Sequence, residues 1–582
     1  MKTIVVFVLC LLSLHSASNH NVIDDWDSNA TKKVQEVAYP KTTLSNQKGL
    51  GGNIAPVVMA SAPMPAPMMK KMVKRKIGLA VGGAKDSDNF IQNIKHGYLP
   101  KLKSITYEGV FYDHYFDVDT NTECKEIFCP TYSYTKTTDI YDDTKEEYYL
   151  SVGLTSGMDM NDFHRDKLNL VVVLDVSGSM GSAFDRYYYD HKASKTSHKT
   201  KMQIANETLV AMMSHLKPED NFGVVLFDDL AYPVKPFRKV AYTDMKAIKK
   251  HILEIHSMGG TNWSAGYKEA LKYFKKVSKK GYENRIIFIT DAMPNQGELN
   301  KDRLFGMTKN AAKKGIHTTF IGVGVDFNAN LVDYVSKIKG ANYYSVHSSK
   351  EFAKRMDKEF EYMVTPLVYN LKLSIDSKNF KVAGIYGVPK AKLSTKNLID
   401  IDTLFASDSS DEGNKGGVIL LKLKKISKGD KLDINLNYKD RYNKKHYIKK
   451  QISINKDKSN SALHKAIVLT RYVTLMQNWL IDARAGCNDK LDYAQIPYDV
   501  IVQRCMIYPP LQPNYHHIKT WERRSCKLQV SDGYKKLFRY FRNYYKAQLN
   551  KLRDKSMKKE LKVLDILLKD NLSIIDDYND MR

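Results

Sequence analysis

The sequence contains no CxxC pair, no HExxH, no GxSxG and no Walker A spacing. These absences exclude the common zinc ribbons, zinc-helix proteases, serine-hydrolase elbows and P-loop nucleotide sites. Ser179 comes nearest to an elbow nucleophile, but Ser177 stands where that motif needs glycine. No apolar stretch, the N-terminal run included, is long enough to span a bilayer, so no transmembrane segment is expected. Acidic residues are scarce: 64 Asp and Glu against 91 Lys and Arg give a net charge of +27. That balance favours acidic partners, such as acidic proteins or anionic glycans. The lysines are spread along the whole chain and no nucleic-acid-binding module accompanies them, so nucleic acid is not an expected partner.

The N-terminal run has its own reading. Lys2, the apolar segment Ile4 to Leu14 and the small residues Ser16, Ala17 and Ser18 follow the order of a secretory signal peptide, cleaved near Ser18. The mature chain is then expected to be secreted, or periplasmic in a bacterium. Of the cysteines, Cys124 and Cys129 are close enough to bridge across a loop. Two of Cys487, Cys505 and Cys526 could pair, which leaves one odd thiol. Sequons at Asn29, Asn206 and Asn571 are candidate glycosylation sites, with Asn206 expected to be open on a helix. A fourth sequon, Asn262, is expected to stay unmodified for reasons given below.

The 582 residues suggest several domains. Residues 1–18 are the signal peptide, and 19–88 read as a disordered linker rich in Pro, Ala and Met. Residues 89–166 read as β-rich, with SITYEGVFYDHYFDV, TYSYTKTTDI and EEYYLSVGLTS as strands after a short helix, FIQNIKHG. From 167 to 364, strands apolar on both faces alternate with amphipathic helices. That pattern predicts an α/β fold with a doubly wound, mostly parallel sheet. Residues 365–458 return to β and could form one sandwich with 89–166, the α/β unit being inserted into it. Residues 459–582 read as helical and basic.

The chemistry gathers in the α/β unit. In an open parallel sheet, ligands bind beyond the C-terminal ends of the strands. LNLVVVLD ends in Asp175, and RIIFITD ends in Asp291. If those strands are neighbours, both carboxylates reach one edge. In DVSGS, Asp175, Ser177 and Ser179 alternate, with Gly178 allowing a tight turn. Thr261 lies in MGGTNWS, just before a helix. Two carboxylates and three hydroxyls would converge, an oxygen set suited to a hard divalent cation. Without a cation, the two clustered carboxylates would be costly.

LDVSGSM, GGT and ITDA, in this order across about 200 residues, resemble the metal-ion-dependent adhesion site of von Willebrand factor type A domains. The resemblance implies a Rossmann-like fold and one divalent cation, magnesium by preference, with calcium or manganese as alternatives. It implies that Ser177, Ser179 and Thr261 ligate the ion directly, and that Asp175 and Asp291 act through water or behind the ligands. Beyond this core, NIKHGYLP and the β flanks resemble exported multi-domain proteins labelled calcium-activated-chloride-channel-like.

The expected function is adhesion: the cation accepts an exposed Asp or Glu of a protein partner. A regulatory or scaffold subunit of a channel, transporter or extracellular assembly is the first alternative. A metal-dependent hydrolase is the second, and no general base supports it, so no enzyme is expected. An insert of about twenty residues follows the motif and carries Arg186, Tyr187, Tyr188 and Tyr189. These residue types dominate binding hot spots and mark a candidate ligand loop. A glycan on Asn262, next to Thr261, would crowd that face.

Overall fold

A computed structural model describes residues 22–36, 75–118, 123–188, 199–275, 277–389, 398–485 and 523–569. Its centre is a seven-stranded sheet in the order Gly83–Ala84, Asn342–Val346, Ile316–Val323, Tyr282–Thr290, Lys167–Asp175, Asn221–Phe227, Ala231–Lys239. All neighbours are parallel except the last pair. The strand Lys167–Asp175 explains its own place in the middle. Leu170, Val172 and Leu174 enter one core, with Met202, Leu209, Ile248 and Phe360 from the covering helices. Val171 and Val173 enter the other, with Trp263, Tyr267, Leu304 and Leu331. A strand with two apolar faces is stable only between two helical layers. The chain is thus of the α/β class.

Strands from both sides of this unit share a second core. A six-stranded antiparallel sheet includes Lys76–Val81 and Thr155–Asp159 from before the unit, and Pro366–Asp376, Leu398–Ser407, Lys431–Asp440 and Lys445–Ser453 from after it. A four-stranded sheet mixes Thr131–Thr138 and Glu146–Gly153 with Phe380–Tyr386 and Val418–Lys425. Their facing side chains, among them Leu79, Leu150, Val152, Leu373, Leu421 and Ile434, form one sandwich core. The outer face of the smaller sheet, through Tyr149, Val418 and Leu420, packs on the helices Ser461–Arg484, Asp532–Leu552 and Lys558–Leu567. None of the described helices is long and apolar enough to cross a membrane.

Two expectations fail against these elements. Much of the supposed linker 19–88 is not linker. Residues 22–36 lie along the edge strand Ala231–Lys239: Asp27 N donates to Val234 O, and Trp26 joins the neighbouring core. The segment KIGLAVGGA supplies a buried strand to the sandwich and a two-residue edge strand to the parallel sheet. Its apolar run was overshadowed by the Pro, Ala and Met composition just before it. In the β-rich segment, Tyr107–Tyr112 is a helix rather than a strand. Thr106 caps it by accepting from Gly109 N, and all six residues are buried, so packing overrides their β propensity.

Candidate metal centre

Two neighbouring parallel strands deliver the two carboxylates of the motif to one edge: Ile289 pairs with Leu174, one residue before Asp175 and two before Asp291. Asp175 is fully buried. One of its oxygens accepts the Ser177 amide at 2.9 Å, and the other accepts the Thr290 hydroxyl at 2.5 Å. Residues Gly178–Gly181 make a single tight helical turn. Gly178 N donates to Gly259 O, and a Cβ on Gly178 would stand 3.2 Å from that oxygen, a tight contact that a glycine avoids. The turn leaves the Ser177 and Ser179 hydroxyls 3.2 Å apart.

Thr261 is held by the loops on either side. Its amide donates to Asn295 Oδ1, and its carbonyl accepts from the Asn295 and Gln296 amides. Met258 N donates to Val176 O, which fastens the Thr261 loop to the Asp175 loop. Asn262 caps the next helix through Ala265 N and donates its side-chain amide to Asp229 O. Ala292, just after Asp291, has a φ of 57°, and its amide donates to the hydroxyl of Thr290. The chain therefore bends sharply where Asp291 projects.

Asp291 has an asymmetric environment. Oδ2 accepts the Lys201 ammonium at 2.9 Å, while Oδ1 is buried with no hydrogen-bond partner. Lys201 opens the helix Lys201–Met213 and lies 2.8 Å from a second carboxylate, Asp326, just beyond the strand Ile316–Val323. Asp175, Asp291, Asp326 and Lys201 are all buried. Burial and the nearby Asp291 push the Asp175 carboxyl up to about 7. Burial works against the Lys201 charge, but Asp291 and Asp326 outweigh it and hold the ammonium above its ordinary range. Burial also raises Asp326, against the pull of Lys201.

Among the described residues no three His, Cys, Asp or Glu side chains gather as a metal site. A cation here would have to be held largely by hydroxyl oxygens, with few carboxylates. Ser177, Ser179, Thr261 and the orphaned Asp291 Oδ1 supply such a donor set, which suits magnesium, calcium or manganese and not zinc. The residues present fit a hard cation.

The ligand-loop candidates divide. Tyr187 is buried, its hydroxyl donating to Asn93 Oδ1 at 2.9 Å and its ring edge-on to Tyr98 at 5.0 Å. It pins the insert to the helix Asp88–Lys95 and is not available to a ligand, which corrects the expectation for that residue. Tyr188 is 39% exposed. Its amide donates to Asp326 Oδ2, and its hydroxyl would lie 3.8 Å from a Cβ on Gly178. Tyr188 thus stands at the rim of the motif. Arg186 is half-buried beside it, and Tyr189 lies outside the described residues.

Of the cysteines, Cys124 and Cys129 form a disulfide and Cys526 is disulfide-bonded, while Cys487 and Cys505 lie outside the described residues. Of the sequons, Asn29 is exposed and Asn571 lies outside the described residues. Asn206 contradicts its expectation. It shares the buried helix face with Met202, Leu209 and Met213, and its amide donates to Ile255 O at 3.0 Å. The folded domain has no room for a glycan there.

Sequence reasoning missed Lys201, Asp326 and Thr290. Asp326 carried a signal, because it follows an apolar strand just as Asp175 and Asp291 do. Lys201 carried none: in a chain this rich in lysine, one more at a helix start is inconspicuous.

A family model described as the von Willebrand factor type A domain matches residues 170–294, a stretch that holds all five motif residues. The chain is 22% identical over 362 residues to inter-alpha-trypsin inhibitor heavy chain H2 of Mus musculus, covering 58% of this chain and 35% of that protein. It is 23% identical over 209 residues to YfbK of Escherichia coli, covering 36% of this chain and 33% of that one. It thus spans about a third of the length of these relatives. Among solved structures, a von Willebrand factor type A protein from Catenulispora acidiphila aligns with a TM-score of 0.39 at 14% identity, over 62% of this chain and 81% of that one.

Proposed function

We propose that the von Willebrand factor type A domain of this chain seats one divalent cation and through it captures an acidic side chain of a protein partner. Ser177, Ser179 and Thr261 are the proposed direct ligands. Asp175 and Asp291 stand behind them or reach the ion through water. Magnesium is the favoured ion, with calcium and manganese as alternatives.

The observation that carries this reading is Asp291 Oδ1, buried without a hydrogen-bond partner at the strand edge where Asp175 also ends. An unsatisfied buried carboxylate oxygen is costly, and a hard cation is an occupant that suits both it and the hydroxyls. When bound, the cation supplies an open coordination position for a carboxylate oxygen from outside. The chain's own residues do the rest. Thr290 and the Ser177 amide hold Asp175 in place, Asn295 holds the Thr261 loop, and Tyr188 offers an aromatic contact at the rim. Arg186 and Tyr189 are proposed to extend that contact surface. The reading is of binding and not of catalysis. The net charge of +27 supports an acidic protein or an acidic glycan as partner.

Export through a signal peptide at residues 1–18 belongs to the same proposal. The Cys124–Cys129 disulfide supports it, because such bonds persist in oxidising compartments. The test is partner capture by the immobilised chain from extracellular-matrix and membrane extracts, with and without EDTA, using Asp175→Ala as control. The proposal expects capture that EDTA and the substitution both abolish. Partners that stay bound under both conditions would overturn it. Enrichment from membranes alone would move the reading to a channel or transporter subunit.

A further inference from the structure

Asp175, Asp291 and Asp326 are three fully buried carboxylates around the edge of the parallel sheet. One buried ammonium, Lys201, faces two of them at 2.9 and 2.8 Å. Among the neighbours, Asp228 accepts the Leu230 amide and Asp229 the Gly260 amide, and neither contacts Lys201. Counted with its three carboxylates ionised, the cluster of Asp175, Asp291, Asp326 and Lys201 carries two negative charges in excess, which is the charge of one divalent cation.

We infer that Lys201 is a resident counter-ion of the cation seat: it acts through Asp291, occupies Oδ2, leaves Oδ1 as the free donor, and sets the charge deficit of the cluster at two. The inference rests on the cation reading above. It has two consequences. The cation-free domain tolerates its buried carboxylates because Lys201 cancels one of them. A loaded seat is close to neutral, so an incoming carboxylate meets no net repulsion. Without Lys201, the loaded seat would stay negative and would oppose an acidic ligand.

Removing the ammonium should therefore do two opposite things. Lys201→Met leaves three buried carboxylates with no cation, so the metal-free protein should unfold at a lower temperature. The same variant should bind magnesium more tightly, because a repelling charge has gone and the carboxylates need a cation more. A purely structural lysine would instead lower stability equally with and without metal.

The test uses the full chain at neutral pH, with thermal unfolding in EDTA and in saturating magnesium, and calorimetric titration with magnesium. Lys201→Met is expected to show a larger magnesium-induced stabilisation than the wild type and a Kd at least tenfold tighter, about 1.4 kcal/mol. Lys201→Met combined with Asp326→Asn restores the deficit of two. It should recover metal-free stability and return the magnesium response to the wild-type value. An equal or smaller magnesium response in Lys201→Met would overturn the inference. If that variant folds only with magnesium, the inference is supported. If it folds under neither condition, the double variant decides: failure to fold in EDTA or to respond to magnesium as the wild type does overturns it. A wild type that responds to no divalent cation would remove the cation reading and this inference together, which separates the two failures.

Discussion

Two polar clusters in this molecule differ in burial and in charge balance. Where the C-terminal helices meet the sandwich, buried and half-buried carboxylates face basic side chains. Glu147 is gripped by Lys422 at 2.6 Å and Arg471 at 2.7 Å. Glu560 faces His114 at 3.0 Å, Asp113 and Asp88 share Lys559, and Asp554 pairs with Lys465. At the strand edge of the parallel sheet, three carboxylates are fully buried and one lysine faces only two of them, Asp291 and Asp326. The first arrangement joins domains and needs nothing more. The second is left short of positive charge, and that shortage separates a site from a structural tie.

The largest expected effect comes from breaking a matched cluster. Glu147→Ala strands Arg471 and Lys422 and should cost about 3–5 kcal/mol in denaturant unfolding. Asp175→Asn in EDTA should cost far less, or raise stability, because it removes a charge that nothing balances. Equal losses in the two variants would erase the distinction.

The next effect is a pH dependence at the junction of the two regions. His347 follows the strand Asn342–Val346, is buried, and has neither ring nitrogen hydrogen-bonded. Burial, with Lys95 and His96 nearby and Asp88 opposing, lowers it from 6.5 to about 4. The unfolded chain therefore takes up a proton that the folded one refuses. Stability is unaffected by this group above pH 6.5 and falls as pH drops from 6.5 towards 4, by up to about 3 kcal/mol. His347→Asn should flatten that part of the stability profile, and an unchanged acid limb would contradict the assignment.

The smallest effect concerns backbone strain at the underbalanced edge. Ala292 adopts a left-handed conformation at φ 57°, which costs a residue with a Cβ. Ala292→Gly should gain about 1 kcal/mol in unfolding experiments, less than the full strain because glycine also loses more freedom on folding. A loss of stability would show that the Ala292 methyl, buried against its neighbours, outweighs the strain.

The parallel sheet was legible because its strands are apolar on both faces, a pattern few other structures tolerate. The sandwich was readable only as a possibility, since its strands come from distant parts of the chain and alternate weakly. The strand Lys76–Val81 was hidden by the composition of its neighbourhood, and the helix Tyr107–Tyr112 by aromatic residues that favour strands elsewhere. At the candidate site, strand-ending aspartates and a serine-glycine turn give a local signal. The charge shortage does not, because it depends on Lys201 and Asp326 arriving from a separate helix and strand. Likewise, nothing in three consecutive tyrosines tells that Tyr187 turns inward to Asn93 while Tyr188 faces out.

The central claim is that the underbalanced strand edge is a seat for one divalent cation. Calorimetric titration of the chelator-treated chain with manganese, beside Asp175→Ala and Glu147→Gln, tests it most directly. The account predicts one ion per chain in the wild type, none in Asp175→Ala, and undiminished binding when only the matched cluster is altered. Absence of binding in the wild type, or equal binding in Asp175→Ala, would contradict it.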